Sequence, residues 1–239
     1  MIRTYPPALG LDVEARVGLL IVVGFPRDQV IKMASRNPQV LGLDIESRID
    51  LLVASGFERD WVIKAARSYP PLLGLNIEKR LELLATAGFG MERAMWMVCA
   101  WPQVLGRDVQ SQIDLLVEVG FTWDEVIKMA GSFPMLLGLD AERRVSQLVA
   151  VGDLLQSTDL PRDSVLNWAV QRPALLGCSV RNRLGPRVAV LKAKGIRFSL
   201  KALYTDKSTE YFLHRHGLKT EEWDASLTSF QDLWDKRMV

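Results

Sequence analysis

The chain has 239 residues, 49% of them apolar and 24% charged, with 30 Lys+Arg against 28 Asp+Glu. That balance suits a folded chain with a continuous core and excludes a disordered polyelectrolyte. No run of about 18 uncharged apolar residues occurs, so no membrane span is expected.

The first residues, Met1 to Tyr5, correspond to Met33 to Asn37, so the chain opens on the last turn of a repeat helix and the first repeat is read as truncated. No Arg- and Ser-rich, acid-poor transit peptide is expected within the residues that open the chain. From there a fixed period governs the chain. Pro6, Pro38, Pro70, Pro102 and Pro134 stand 32 residues apart, each followed four places later by glycine at 10, 42, 74, 106 and 138. A second glycine recurs at 24, 56, 88, 120 and 152, with phenylalanine behind the first four. Self-similarity at this period predicts a solenoid of stacked supersecondary units.

Residues 38–69 serve as the type unit. Ile45, Ile49 and Leu52 form the apolar stripe of a first helix, which Leu51 and Val53 are expected to widen. Asp44, matched by Asp12, Asn76, Asp108 and Asp140, is its expected N-cap. Gly56 and its equivalents are expected to end it in a left-handed conformation. A second helix follows, clearest in the capping-box sequence Thr122-Trp123-Asp124-Glu125, with Val62, Ile63 and Ala66 on its apolar side in the type unit. Pro70 ends it by excluding the helical conformation from the residue before, and only one tight turn fits between Pro70 and Gly74. Period-two alternation is missing throughout, so the fold class is all-α, a helical-repeat solenoid.

The fifth unit is longer, with Pro173 arriving 39 residues after Pro134 and an inserted loop expected around Asp153 to Leu160. The chain thus divides into tandem repeats over 1–160, a last repeat with a basic C-terminal cap over 161–219, and an acidic amphipathic tail over 220–239. Charge follows that division: 16 Lys+Arg against 20 Asp+Glu, then 12 against 3, then 2 against 5. Trp223, Leu227, Phe230, Leu233 and Trp234 in the tail are spaced for a short helix packing over the solenoid end.

The unit Pro-x-x-Leu-Gly, then Glu-x-Arg-(Ile/Leu)-x-x-Leu, then Gly-Phe, resembles the mitochondrial transcription termination factor (mTERF) repeat over residues 1–195. The closing run Ser179 to Val188, with its Arg-x-x-Pro-Arg spacing and the later Lys194-Gly195, is similar to that family's last segment. The resemblance implies triplets of two α-helices and a short 3-10 turn, stacked in a curved superhelix whose concave face binds nucleic acid. It also implies a monomeric factor of chloroplasts or mitochondria that acts on transcription, its termination, or transcript processing, with double-stranded DNA or structured RNA as partner.

Candidate phosphate contacts are chosen by position. On the closing helix Arg183, Arg187 and Lys194 flank one side of the stripe Leu184, Val188, Leu191, and Arg181 and Lys192 flank the other; Arg197 and Lys201 continue the block. Lys32, Lys64 and Lys128 form a second ladder, pointing outward from the second helices. Arg16, Arg48, Arg80, Arg144 and Arg183 occupy one slot near the buried stripe and are read chiefly as links between neighbouring units. The cysteines Cys99 and Cys178 are read as buried free thiols, and His214 and His216, two apart, do not share a helix face for a metal. No nucleophile elbow, phosphate loop or paired acid is present, so neither an enzyme nor a cofactor is expected. The competing reading is a protein-interaction scaffold whose acidic repeat face holds a basic partner.

Overall fold

The 32-residue ruler becomes a recurring helix–helix–turn triplet. The computed structural model describes residues 12–154, 161–196, 198, 203 and 208–238. Among these no strand occurs. The first helices of successive repeats are α1 (Val13–Val23), α3 (Ile45–Ala54), α5 (Ile77–Leu84), α7 (Val109–Val119) and α9 (Ala141–Leu154). Their partners are α2 (Arg27–Arg36), α4 (Arg59–Ser68), α6 (Met91–Ala100), α8 (Trp123–Ser132) and α10 (Arg162–Gln171). Each pair closes on a five-residue 3-10 turn: Pro38–Gly42, Pro70–Gly74, Pro102–Gly106, Pro134–Gly138 or Pro173–Gly177. The chain ends in α11 (Gly185–Ala193), α12 (Thr209–His216) and α13 (Thr220–Met238). Contacts gather it into two compact units, Met1–Gln110 and Ser111–Val239.

Local chemistry sets each boundary. The Asp44 carboxylate accepts from the Ser47 amide at 3.3 Å, and Asp12, Asn76 and Asp140 cap their helices in the same way. Gly24, Gly56 and Gly120 then hold φ of 116°, 97° and 119°, the left-handed stop for which glycine is suited. The phenylalanine after each, at 25, 57 and 121, is buried and turns the chain into the second helix. Thr122 and Glu125 make the full capping box. The residue before each proline leaves the helix at φ near −140°, for example −138° at Tyr69 and −139° at Phe133.

Three expectations need correction. Gly152 does not stop a helix, because α9 runs on to Leu154 and Asp153 replaces the buried phenylalanine that would pull the chain inward. Cys99 is exposed, since it lies beside, not within, the buried stripe Ala94, Met97 and Val98. Leu51 and Val53 do not widen the core stripe; both are exposed, and the buried face of α3 is Ile45, Ile49 and Leu52. Most of the inserted loop, 155–160, lies outside the described residues.

Neighbouring repeats interlock through the glycines. In the N-terminal unit the Tyr69 hydroxyl lies where a Cβ on Gly106 would sit, and in the C-terminal unit the Phe133 ring comes to 3.2 Å of that position on Gly177. Gly74, for which the smaller Asn37 holds the place in the preceding repeat that Tyr69 holds for Gly106, has nothing within 4 Å. Gly106→Ala is therefore expected to lose about 1–2 kcal/mol in urea unfolding, while Gly74→Ala stays within about 0.5 kcal/mol. Equal losses at the two sites would show that the tyrosine contact is not what requires glycine.

Candidate nucleic-acid interface

The closing segment is built on a Ser179 cap, whose hydroxyl accepts from the Asn182 amide at 3.2 Å, followed by a wide turn over Val180–Leu184 that runs into α11. Its basic side chains do not form a free cationic face. Arg187 is 1% exposed. Its guanidinium donates to the carbonyls of Leu203 at 2.6 Å and Ser208 at 3.1 Å, and lies 4.7 Å from the centre of the Phe212 ring. It cannot meet a phosphate from there, which corrects its assignment to the interface. The helical wheel placed it on a flank of the stripe; the return of the chain over that flank buries it.

The acidic tail takes up two more cations. α13 packs along α11, with Phe230 over Gly185 and stacked on Trp234, while Trp223 meets Phe212 of α12, all buried. Asp235 accepts from Arg181 at Nε (2.8 Å) and Nη2 (2.5 Å), a bidentate pair. That hydrogen-bonded guanidinium holds the Asp235 carboxyl below its ordinary range, and the carboxylate raises Arg181 in return. Glu222 is lowered likewise, first by its bond from Lys194 and then by the backbone amide of Lys219. Arg237 reaches Asp153 at 3.0 Å. Arg183 is half-buried and Lys192 exposed, while Arg197 and Lys201 lie outside the described residues.

The second-helix ladder stands out in water. Lys32, Lys64 and Lys128 are all exposed, and Lys32 pairs with Asp28 at 3.7 Å. Asp60 and Asp124 precede Lys64 and Lys128 by the same four residues. In the N-terminal unit charge separates by helix row. The second helices α2, α4 and α6 carry seven Lys or Arg against three Asp or Glu. The first helices α1, α3 and α5, with caps Asp12 and Asp44, carry four against seven. Within the second row Trp96 takes the lysine slot, with Arg93 5.2 Å from its ring centre.

The arginine slot is half-buried at 16, 48, 80, 144 and 183 alike. Ser47, donating to both oxygens of Asp44, holds that cap's carboxyl low, and the charges of Arg16 from the preceding repeat and Arg48 add to the effect. A related link joins Arg162 to Glu142 at 2.7 Å and to the Val119 carbonyl at 2.8 Å. Arg162 thus ties helix ends of adjacent layers together, and the charge of Arg16 acts on the cap of the next repeat.

The mTERF family model matches residues 8–111 and again 106–213. The chain belongs to the mTERF family. Its units are thus mTERF repeats, all-α triplets of two helices and a 3-10 turn. The family is in general one of nucleic-acid-binding, non-enzymatic proteins of organelles. Among curated proteins none matches the chain. Among the described residues no three His, Cys, Asp or Glu side chains gather as a metal site, and no helix is long and apolar enough to cross a membrane. The row-by-row charge of these mTERF repeats was missed by counting charge in blocks of sequence; counting it helix by helix would have found it.

Proposed function

We propose that this mTERF protein grips double-stranded DNA or structured RNA by the phosphate backbone and regulates transcription, including termination, or transcript processing, in a chloroplast or mitochondrion. The observation that carries this reading is the excess of exposed cations on the second-helix row of the N-terminal unit, of which Arg59 is bonded to Glu46 and Asp50 of α3, in a chain of this family. Lys32 and Lys64, with the exposed Arg27 and Arg36, supply the contacts there. Lys128 and Lys192 supply exposed charge in the C-terminal unit. Arg181 and Lys194 contribute only by exchanging Asp235 and Glu222 for phosphate, Arg183 is secondary, and Arg187 acts within the fold. Contacts of this kind confer affinity with little sequence information.

Fluorescence anisotropy on duplex DNA, single strands and a structured RNA, each over a salt series, tests the reading. On duplex DNA the log–log slope is expected near −0.9 for each phosphate neutralised. The combined variant Lys32→Ala, Arg36→Ala, Lys64→Ala is expected to flatten that slope by roughly 2–3 units and to weaken binding equally across sequences. A slope near zero for the parent chain, or an unchanged slope in the variant, would remove the mechanism.

A further inference from the structure

The tail helix α13 meets the closing segment in one antiparallel register. Arg181 pairs with Asp235 and Lys194 with Glu222; between these ends the Gln231 amide donates to the Asn182 side chain at 3.1 Å, and Phe230 covers Gly185. Arg181 and Lys194 stand 13 residues apart, and so do Glu222 and Asp235. At about 1.5 Å per residue the two ion pairs lie roughly 20 Å from each other, one at each end of the contact. Buried Trp223, Phe230 and Trp234 dock the helix, and exposed ion pairs add little to such packing.

The two carboxylates are therefore placed for their cations rather than for the helix. Asp235 stands in the last turn of α13, where the helix dipole disfavours an acid. It accepts from Arg181 through two donors, the fork that binds carboxylate and phosphate alike. The other tail acids, Glu221, Asp224 and Asp232, are exposed and pair with no cation among the described residues. Of the tail's own cations, Arg237 is bonded to Asp153 and Lys236 is exposed.

We propose that α13 is an autoinhibitory clasp: Asp235 and Glu222 occupy the two cations of the closing segment that a nucleic-acid backbone would neutralise, and so hold phosphate binding down until they are displaced. The inference rests on the reading of the protein as a phosphate-backbone binder. Both pairs are half-exposed, and pairs of this kind hold by a factor of about 1.4 to 5 each. A phosphate chain can break them, yet a weak and fleeting contact gains little from doing so. The helix need not leave, because exchange of carboxylate for phosphate needs only the side chains to turn outward.

The test is fluorescence anisotropy of the full chain on duplex DNA over a salt series. Glu222→Gln with Asp235→Asn is expected to bind about three- to tenfold more tightly at low salt. Its log–log slope should steepen by about 1–2 units, since each further phosphate neutralised adds about 0.9. Asp224→Asn with Asp232→Asn removes the same charge from the same helix away from both cations and should leave the slope as it was. Adding Arg181→Ala and Lys194→Ala to the first variant should return the slope to the parent's. Hydrogen exchange over 220–238 should stay at the parent's level in the first variant, because the aromatic contacts remain. Salt-dependent binding of the parent with no gain in the first variant overturns the clasp and leaves the functional reading standing. An equal gain from the Asp224 and Asp232 pair overturns it, since the tail then acts by net charge, and so does a gain that survives the loss of Arg181 and Lys194. Exchange over 220–238 as fast as in an unprotected chain overturns it too, because the carboxylates would then be anchors of the helix. A slope near zero for the parent and every variant removes both the clasp and the reading beneath it.

Discussion

Arg187→Ala is expected to destabilise the protein by about 3–5 kcal/mol, the scale of losing a large buried side chain together with the hydrogen bonds it donates. The guanidinium sits in the interior and spans two carbonyls, those of Leu203 and Ser208, across the ring face of Phe212. Alanine leaves the buried Leu203 carbonyl and the part-buried Ser208 carbonyl without this donor and opens a cavity, and a buried orphaned acceptor alone costs about 1–3 kcal/mol. Arg187→Lys should recover only part of the loss, because an ammonium is a point donor that cannot fork between two carbonyls. Urea unfolding gives the magnitude, and hydrogen exchange gives the place: protection should fall first across α12 and the end of α11. A stability change under about 1 kcal/mol in Arg187→Ala would show that the segment is held by something else. At a temperature where the variant remains folded, its salt slope for duplex DNA should match the parent's, since the side chain does not face solvent.

Gly185→Ala is the second large effect, expected at about 3 kcal/mol from overpacking. Gly185 opens α11 with ordinary helical φ, so glycine is not there for a left-handed turn. The reason is the close approach of α13: a Cβ at this position would overlap three ring carbons of Phe230, itself 1% exposed with no free space to retreat. The helix would lift off, taking Trp223 and Trp234 out of contact and freeing Asp235 and Glu222 from Arg181 and Lys194. Hydrogen exchange over 220–238 should rise accordingly. A double-mutant cycle separates this from any general effect on the helix: in a Phe230→Ala background, Gly185→Ala should cost almost nothing. If the cost is the same in both backgrounds, the ring is not the cause. Loss of α13 has a functional readout too, since Arg181 and Lys194 then become available to phosphate and the salt slope on duplex DNA should steepen.

The candidate interface divides between what could and could not be read in advance. Lys32, Lys64 and Lys128 were assigned outward positions from their angle to Val30, Val62 and Val126, and they are exposed. The arginine slot was assigned to the layer junction, and all five arginines there are half-buried. Arg187 carried the same basic signal as Arg181 and lies on the same helical segment, yet one is buried against backbone carbonyls and the other is tied to Asp235. Nothing within a turn of either residue encodes that difference. The partners stand 16 and 54 residues away. Leu51 misled in the opposite sense: beside Leu52 it reads as core, but its cleft is left open by the next layer.

The sequence by itself determined the all-α class, the repeat length, the caps, the left-handed glycine stops and the family, because each of these depends on residues within one or two helical turns. Satisfying a first-turn amide with Asp44, or ending a helix at Gly56, needs no distant partner. Only the tertiary structure decided which cations are consumed inside the fold and which leucines stay in water. Those outcomes depend on which surfaces the returning chain covers, and burial is a property of the packed layers, not of any residue's own helix.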